Sequence, residues 1–328
     1  MTLRTVDEVR AVLAQQRRAS TQSATGSSTA PGTAAARTGA SGTPSRAGAA
    51  RTGASGTTPG PVRVGLVPTM GALHEGHLSL IRRARQECDV VVVSLFVNPI
   101  QFNEQSDLDG YPRDEDRDRD LVRGAGADIL FAPTPAEIYP PGFATSVTVT
   151  GITEVLEGAQ RGPSHFNGVA TVVTKLLNIV RPDVAYFGEK DAQQGQVIRR
   201  LVADLNLDVE IRLCPIVREV DGLARSSRNV QLHGADRQRA TALHAALEAA
   251  AVAVAAGERD AAKLAADARA TLLAAGIEPE YFALVDPETF AAVDAIDHRP
   301  VRALVAARVG STRLIDNQLL EPADVRNH

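Results

Sequence analysis

The sequence predicts an α/β protein: a Rossmann-like doubly wound parallel sheet followed by a smaller C-terminal α+β domain. Three observations predict it. Val90 to Val97 is an apolar run of strand length, interrupted only by Ser94, the kind a parallel sheet buries on both faces. Further short apolar runs, Val62 to Val67, Asp128 to Ala132, Val184 to Phe187 and Val209 to Ile216, alternate with stretches of helical periodicity. Beyond Arg228 the alternation stops, leaving two alanine-rich helical stretches, near 235–256 and 260–275, and two closing strand candidates, Tyr281 to Val285 and Val301 to Val309. The expected division is residues 1–217 and 218–328, joined near Val217 to Leu223.

Taken in order, Thr5-Val-Asp-Glu8 is a capping box, and Val6, Val9, Val12 and Leu13 follow at helical spacing, which predicts an amphipathic helix to about Arg18. Composition then changes abruptly. Ser20 to Pro61 is Ala, Gly, Ser, Thr and Pro with a few arginines and one glutamine, and Ala-Arg-Thr-Gly-Ala-Ser-Gly-Thr occurs at 36–43 and again at 50–57. Such a segment has almost nothing to bury against its ordering entropy, so a disordered insert is expected over 20–61. Later elements are a charged surface helix from Asp114 to Arg123, an alternating edge strand from Thr145 to Val149, and a helix from Thr171 to Val180. A helix to about Asp204 follows the strand at 184–187.

Residues 62–80 organise the rest: a buried strand, a glycine-punctuated turn and the start of a helix. Pro68 is expected to end the strand, because it cannot donate to a ladder. Gly71 and Gly76 let backbone approach a ligand, and Leu78, Leu80 and Ile81 begin a helical face. A strand-to-helix junction of this kind is expected to present free backbone N–H groups to an anion. His74 and His77, three residues apart at the helix entrance, suit a polyphosphate, since each ring can donate to a phosphate oxygen. The same spacing suits a metal pair, but no Cys, His or Asp cluster nearby completes a zinc set. Two ordinary surface histidines are the other reading.

The 328 residues leave room for two domains, and 44% hydrophobic with 23% charged residues is a globular composition. No apolar run reaches the ~18 residues of a membrane span and the N-terminus lacks a signal-peptide core, so the expected location is cytoplasmic. Cys88 and Cys214 stand far apart and indicate neither a disulfide framework nor zinc. A net charge of −4 with interspersed signs argues against a nucleic-acid binder. The only lysines are Lys175, Lys190 and Lys263. In a chain so dominated by arginine, a lysine in a loop marks a place where a compact point charge is wanted.

Polar loops follow the strand ends at His74–His77, Asn98–Asn103 and Gly188–Gln194, and a fourth, Arg225-Ser-Ser-Arg228, begins the second domain. In open α/β sheets ligands bind at those ends. Lys190 can neutralise a phosphate, while Ser226, Ser227 and Arg228 supply hydroxyl and forked donors.

Seven motifs occur in order: Pro-Thr-Met-Gly-Ala-Leu-His-Glu-Gly-His (68–77), Phe-Val-Asn-Pro-Ile-Gln-Phe (96–102), Tyr-Pro-Arg (111–113), His-Phe-Asn-Gly-Val (165–169), Tyr-Phe-Gly-Glu-Lys-Asp (186–191), Asp-Gly-Leu-Ala-Arg-Ser-Ser-Arg-Asn (221–229) and Arg-Leu-Ile-Asp-Asn (313–317). Outside the insert the chain resembles the pantothenate synthetase family, nucleotidyltransferases with a His-x-Gly-His signature. The resemblance implies that pantoate attacks the ATP α-phosphate to give pantoyl adenylate and pyrophosphate, and that β-alanine then displaces AMP. It implies ATP contacts from Met70, Gly71, Ala72, Leu73, His74, Glu75, Gly76, His77, Gly188, Glu189, Lys190, Asp191, Val217, Arg225, Ser226, Ser227 and Arg228. His74, His77, Lys190 and Arg228 would be catalytic, with His77 the proton donor. Gln101 would hold pantoate and β-alanine, and Gln194 pantoate. Mg²⁺ would bridge the phosphates without direct protein ligands, and the chain would be a homodimer.

Two features depart from the family: the insert, and Arg225, which stands where Met or Leu is usual. A long side chain there could reach the phosphates, or lie along the loop with its head in water. A nucleotide sensor without turnover, or a nucleotidyltransferase that activates another small acid, are the competing readings.

Overall fold

The computed structural model describes residues 1–25 and 61–323. It divides into two compact units, Met1–Arg10 with Arg63–His328, and Ala11–Val62. The expected disordered insert falls largely on residues 26–60, outside the described residues. After β1 (Thr2–Leu3), α1 (Val6–Thr25) opens with the expected capping box: Thr5 Oγ1 accepts from Glu8 N–H at 3.2 Å and the Glu8 carboxylate accepts from Thr5 N–H at 3.0 Å. The helix does not stop near Arg18 but continues through Ser20 to Thr25, because no helix breaker occurs before Gly26.

The first unit carries a parallel sheet built from β1, β2 (Val64–Thr69), β3 (Val90–Leu95), β4 (Ile129–Phe131), β5 (Val184–Gly188) and β6 (Glu210–Cys214). The spatial order is β1-β4-β3-β2-β5-β6, as a doubly wound fold requires. Its crossovers run through α2 (Glu75–Glu87), α3 (Gln105–Asp109) with α4 (Glu115–Gly124), α5 (Pro135–Ile138) with α6 (Glu157–Arg161) and α7 (Pro163–Val180), and α8 (Ala192–Asp204). The valines of β3 show why a parallel strand reads as continuous hydrophobicity. Val91, Val92 and Val93 are all inaccessible to solvent, each contributing about 1.5–3 kcal/mol of burial.

Pro68 lies inside β2, opposite Ser94, rather than ending it. Backbone groups of alternate residues face alternate neighbours: the Thr69 carbonyl takes Phe96 N–H on the β3 side, and the Val64 carbonyl takes Asp183 N–H on the β5 side. Pro68 therefore faces β5, whose pairing with β2 has ended at Leu66. The missing donor costs no ladder bond there.

The remaining elements are α9 (Gly234–Arg239), α10 (Ala242–Ala255), α11 (Ala261–Ala274) and an antiparallel sheet of β7 (Pro279–Val285), β8 (Val301–Val309) and β9 (Thr312–Leu320). One face of β8, with Ala303, Val305 and Ala307, packs with Leu243, Leu247, Leu264 and Leu272 of the two alanine-rich helices. The other face places Leu304 with Ala192, at the start of α8. β8 is thus buried on both sides.

Three expectations are corrected. The first alanine-rich stretch is two helices, broken at Ala240 and Thr241. Thr145 to Val149 is not a strand; Val147 N–H is satisfied by Thr171 Oγ1 at 2.9 Å instead of a ladder partner. The sequence reading also omitted β9, which folds back on β8 through a tight turn where Gly310 takes φ +61°.

Candidate active site

From β2 the chain moves one way across the sheet, to β3 and β4, and from β5 the other way, to β6. The C-terminal ends of β2 and β5 therefore flank the switch point, where such sheets take their ligands. A cleft of about 270 Å³ opens there, lined by Met70, His74, Gly76 and His77 after β2 and by Gly188, Lys190, Asp191 and Gln194 after β5. Gln101, Val217 and Arg225 to Arg228 complete it. Gly71, Ala72, Leu73, Glu75 and Glu189 do not line the cleft. Leu73 is buried, and Glu75 pairs with Arg82 at 2.5 and 3.1 Å.

Five amides of the loop and the first turn of α2 are taken rather than free. Ala72 N–H and Leu73 N–H donate to the two oxygens of Asp118 at 2.8 and 2.9 Å. Gly76 N–H donates to His74 Nδ1 at 3.1 Å, His74 N–H to His77 Nδ1 at 3.3 Å, and His77 N–H to the His74 carbonyl at 2.9 Å. What the loop offers instead follows from these bonds. An Nδ1 that accepts leaves the proton of a neutral imidazole on Nε2, so each ring keeps one N–H donor. The rings lie 4.1 Å apart, centroid to centroid. Burial, then the charges of Lys190 and Arg225, lower His74 to about 4. Burial and the neighbouring His74 lower His77 to about 3. Both are neutral donors at pH 7.

Asp118 corrects another expectation. It lies on the helix read as a charged surface, yet its side chain is 1% exposed. It grips a loop in which Gly71 has φ +88° and Ala72 φ +51°.

Gln101 stands on a 3₁₀ turn after β3, Pro99–Gln101. Tyr139 O–H donates to Asn98 Oδ1 at 2.7 Å, and Asn98 Nδ2 donates to Gln101 Oε1 at 2.9 Å and to the Gly168 carbonyl at 3.1 Å. With its oxygen so occupied, Gln101 presents its NH₂ group, whose only hydrogen-bond partner among the described residues is Met70 Sδ at 3.2 Å. A carboxylate is the natural partner for such a donor. Gly168 allows α7 this close, since a Cβ there would lie 2.7 Å from the Gln101 backbone. His165 Nδ1 is 3.0 Å from the Gln101 carbonyl, which makes Nδ1 the donor and Nε2 an acceptor in the cleft. Burial lowers His165 to about 4.

Lys190 lies in the turn Glu189–Asp191, its Nζ 3.4 Å from Asp191 Oδ1. Burial raises the Asp191 carboxyl, but Lys190 and Arg161 outweigh it and the net shift is downward. On the facing wall Arg225 N–H donates to the Val217 carbonyl at 2.9 Å, which joins two predicted nucleotide contacts across a small hairpin. Ser226 Oγ accepts from Arg228 N–H at 3.3 Å and caps the turn that carries Ser227 and Arg228. Arg225 is half-buried and lines the cleft, and its Nε is buried without a partner.

Sequence reasoning missed Glu157 at the cleft floor. It accepts from Arg313 at 2.7 and 2.9 Å, from Arg161 at 3.0 Å and from Tyr281 O–H at 2.7 Å. Burial alone would raise it; the arginines bring it to about 2. Arg313 belonged to a recognised motif, but its partner lies 156 residues away and carries no local signal.

A switch-point crevice with imidazole and cationic donors on one side and an oriented amide on the other defines an α/β enzyme of the nucleotide-handling class. Comparison with known proteins narrows the class. The family model for pantoate-beta-alanine ligase matches residues 48–319. The pantothenate synthetase of Roseiflexus castenholzii is 55% identical over 79% of this chain and 92% of its own length, and that of Thermotoga petrophila 53% over 78% and 91%. The crystal structure of pantothenate synthetase from Thermus thermophilus superimposes with a TM-score of 0.76 at 48% identity, covering 79% of this chain and 94% of that one. The ligase of Francisella tularensis, solved with beta-gamma ATP and beta-alanine, gives 0.66 at 36% identity over 79% and 90%. The chain belongs to the pantoate-beta-alanine ligase family.

Proposed function

We propose that the chain condenses pantoate with β-alanine at the expense of ATP, through pantoyl adenylate, with release of pyrophosphate and AMP. One observation carries this reading: the ring N–H donors of His74 and His77 share a single cleft with Lys190, Ser226, Ser227 and Arg228, while the Gln101 amide is oriented to receive a carboxylate. Triphosphate charge would be met by the first group. The pantoate carboxylate would be met by Gln101 and Gln194. No protein nucleophile is needed, since positioning and charge stabilisation account for such transfers.

In this reading His77, with Lys190 and Arg228, stabilises charge that develops as pyrophosphate departs. Gln101 then guides the β-alanine carboxylate so that its amine meets the acyl carbon. Mg²⁺ would enter with the phosphates it neutralises. Residues 1–217 form the nucleotide-binding domain, and residues 218–328 the smaller domain that brings the Arg225 to Arg228 loop. No described helix is long and apolar enough to cross a membrane; a cytoplasmic homodimer completes the reading. The test supplies ATP, Mg²⁺ and pantoate and follows pyrophosphate and AMP. A burst of pyrophosphate without β-alanine, with AMP released only on its addition, is expected. Pyrophosphate that appears only with β-alanine overturns the adenylate.

A further inference from the structure

Asn317, on β9, is 2% exposed and reaches across to the loop after β5. Its Nδ2 donates to the carbonyls of Glu189 at 2.8 Å and Lys190 at 3.1 Å. Its Oδ1 accepts from Arg302, on β8, at 2.5 Å. Carbonyl oxygens on one side and a guanidinium on the other fix the amide in one orientation; reversed, it would oppose like groups on both sides. The backbone beneath it is fixed as well. Asn317 N–H donates to Asp316 Oδ1 at 2.8 Å, and Asp316 is held by Arg218 at 2.6 and 3.1 Å.

Arg302 is 8% exposed, and among the described residues its side chain donates to Asn317 alone. Burial disfavours its charge, the Glu189 carboxylate favours it and Arg199 opposes it, so a largely desolvated cation has a neutral amide as its direct hydrogen-bond partner. The turn Glu189–Asp191 has no side-chain cap of its own. The peptide planes on either side of Lys190 are thus oriented from the antiparallel sheet.

We propose that Asn317, locked by Arg302, is a positioning residue that aims Lys190 into the cleft; this rests on the reading that Lys190 meets the ATP phosphates. The C-terminal sheet thereby sets the geometry of a cation carried by the parallel sheet. Misplacing such a group by an ångström is enough to cost orders of magnitude in rate.

Asn317→Asp separates positioning from support. The carboxylate gains an ion pair with Arg302 and keeps the fold, but sets an oxygen against two carbonyl oxygens and displaces the turn. Its kcat is expected to fall about tenfold or more, with the thermal midpoint and the KM for pantoate little changed. Arg302→Met, which leaves the turn and Asn317 unsubstituted but frees the amide to rotate away from the turn carbonyls, is expected to lower kcat in the same direction. Because the chain has three lysines, Lys190 can be followed directly by acetylation with an N-hydroxysuccinimide ester and mass spectrometry, with Lys263 as internal reference. ATP is expected to protect Lys190 in the unaltered chain and to protect it several-fold less in Asn317→Asp. Normal kcat and full protection in both variants overturn the proposal alone. If ATP leaves Lys190 of the unaltered chain unprotected, the functional reading fails and the proposal with it.

Discussion

Asp118→Asn tests whether the loop that carries His74 and His77 is held from beneath. The carboxylate takes two consecutive amides, Ala72 N–H and Leu73 N–H, at 2.8 and 2.9 Å from a site 1% exposed. Asparagine keeps one acceptor and turns an NH₂ toward the other amide. Losing a charge-assisted bond costs about 1.5–3 kcal/mol, and a buried unpaired donor about 1–3 kcal/mol. These overlap, so about 2–4 kcal/mol is expected. The contact with Arg117 at 3.7 Å adds little, because that side chain is 56% exposed. Ala72 pays about 1–2 kcal/mol for its left-handed conformation at φ +51°, so the loop relaxes once the grip weakens. Urea unfolding reads the stability and titration calorimetry the affinity for ATP, which should weaken as the rings move. Ala72→Gly, which removes the strain, should recover part of the loss. A stability change below about 0.5 kcal/mol with unaltered ATP affinity would refute the reasoning.

Lys190→Ala is expected to slow pyrophosphate formation about 10²-fold or more; a normal rate for that step, with only the amine step slowed, reverses the assignment. Arg225→Met should raise the KM for ATP by less than about tenfold and leave kcat nearly unchanged, since a wall cation acts on ground and transition states alike. A loss concentrated in kcat would place Arg225 on the reacting phosphates. His74, His77 and His165 are lowered to about 4, 3 and 4, so the unfolded chain takes up protons that the folded chain refuses. Their contribution is complete above the ordinary value of 6.5 and is lost as pH falls from there toward 4 and 3. The thermal midpoint should therefore drop between pH 7 and 5, and His77→Gln should flatten the drop; a level midpoint in the unaltered chain contradicts the buried neutral rings.

The central strands β2 to β5 were legible because they are buried on both faces and declare themselves as apolar runs: Val90 to Leu95 differs from the expected strand only at its end, whereas the two-residue, half-buried β1 was not read. β9 was not, because Arg313, Asp316 and Asn317 interrupt the apolar pattern and each is turned inward to a partner supplied by the fold. Thr145 to Val149 failed in the opposite sense. Its alternation is that of a strand, but alternation reports a half-buried extended segment and not a ladder, and here the backbone finds a threonine side chain.

At the site, residue types that donate to anions were legible and the direction of their donors was not. Glycines after a strand suggested amides open to phosphate. The fold instead spends those amides on Asp118 and on the two imidazole Nδ1 atoms. A backbone amide would point wherever the turn directs it, whereas a ring tethered through Nδ1 carries its remaining N–H well beyond the backbone, on a rigid lever. The paired histidines therefore extend the helix entrance toward the ligand while their own tautomer is fixed by the helix they extend. That coupling explains why His74 both caps α2 and lines the cleft: displacing its ring for either purpose disturbs the other, and a substitution at His74 cannot be neutral to both.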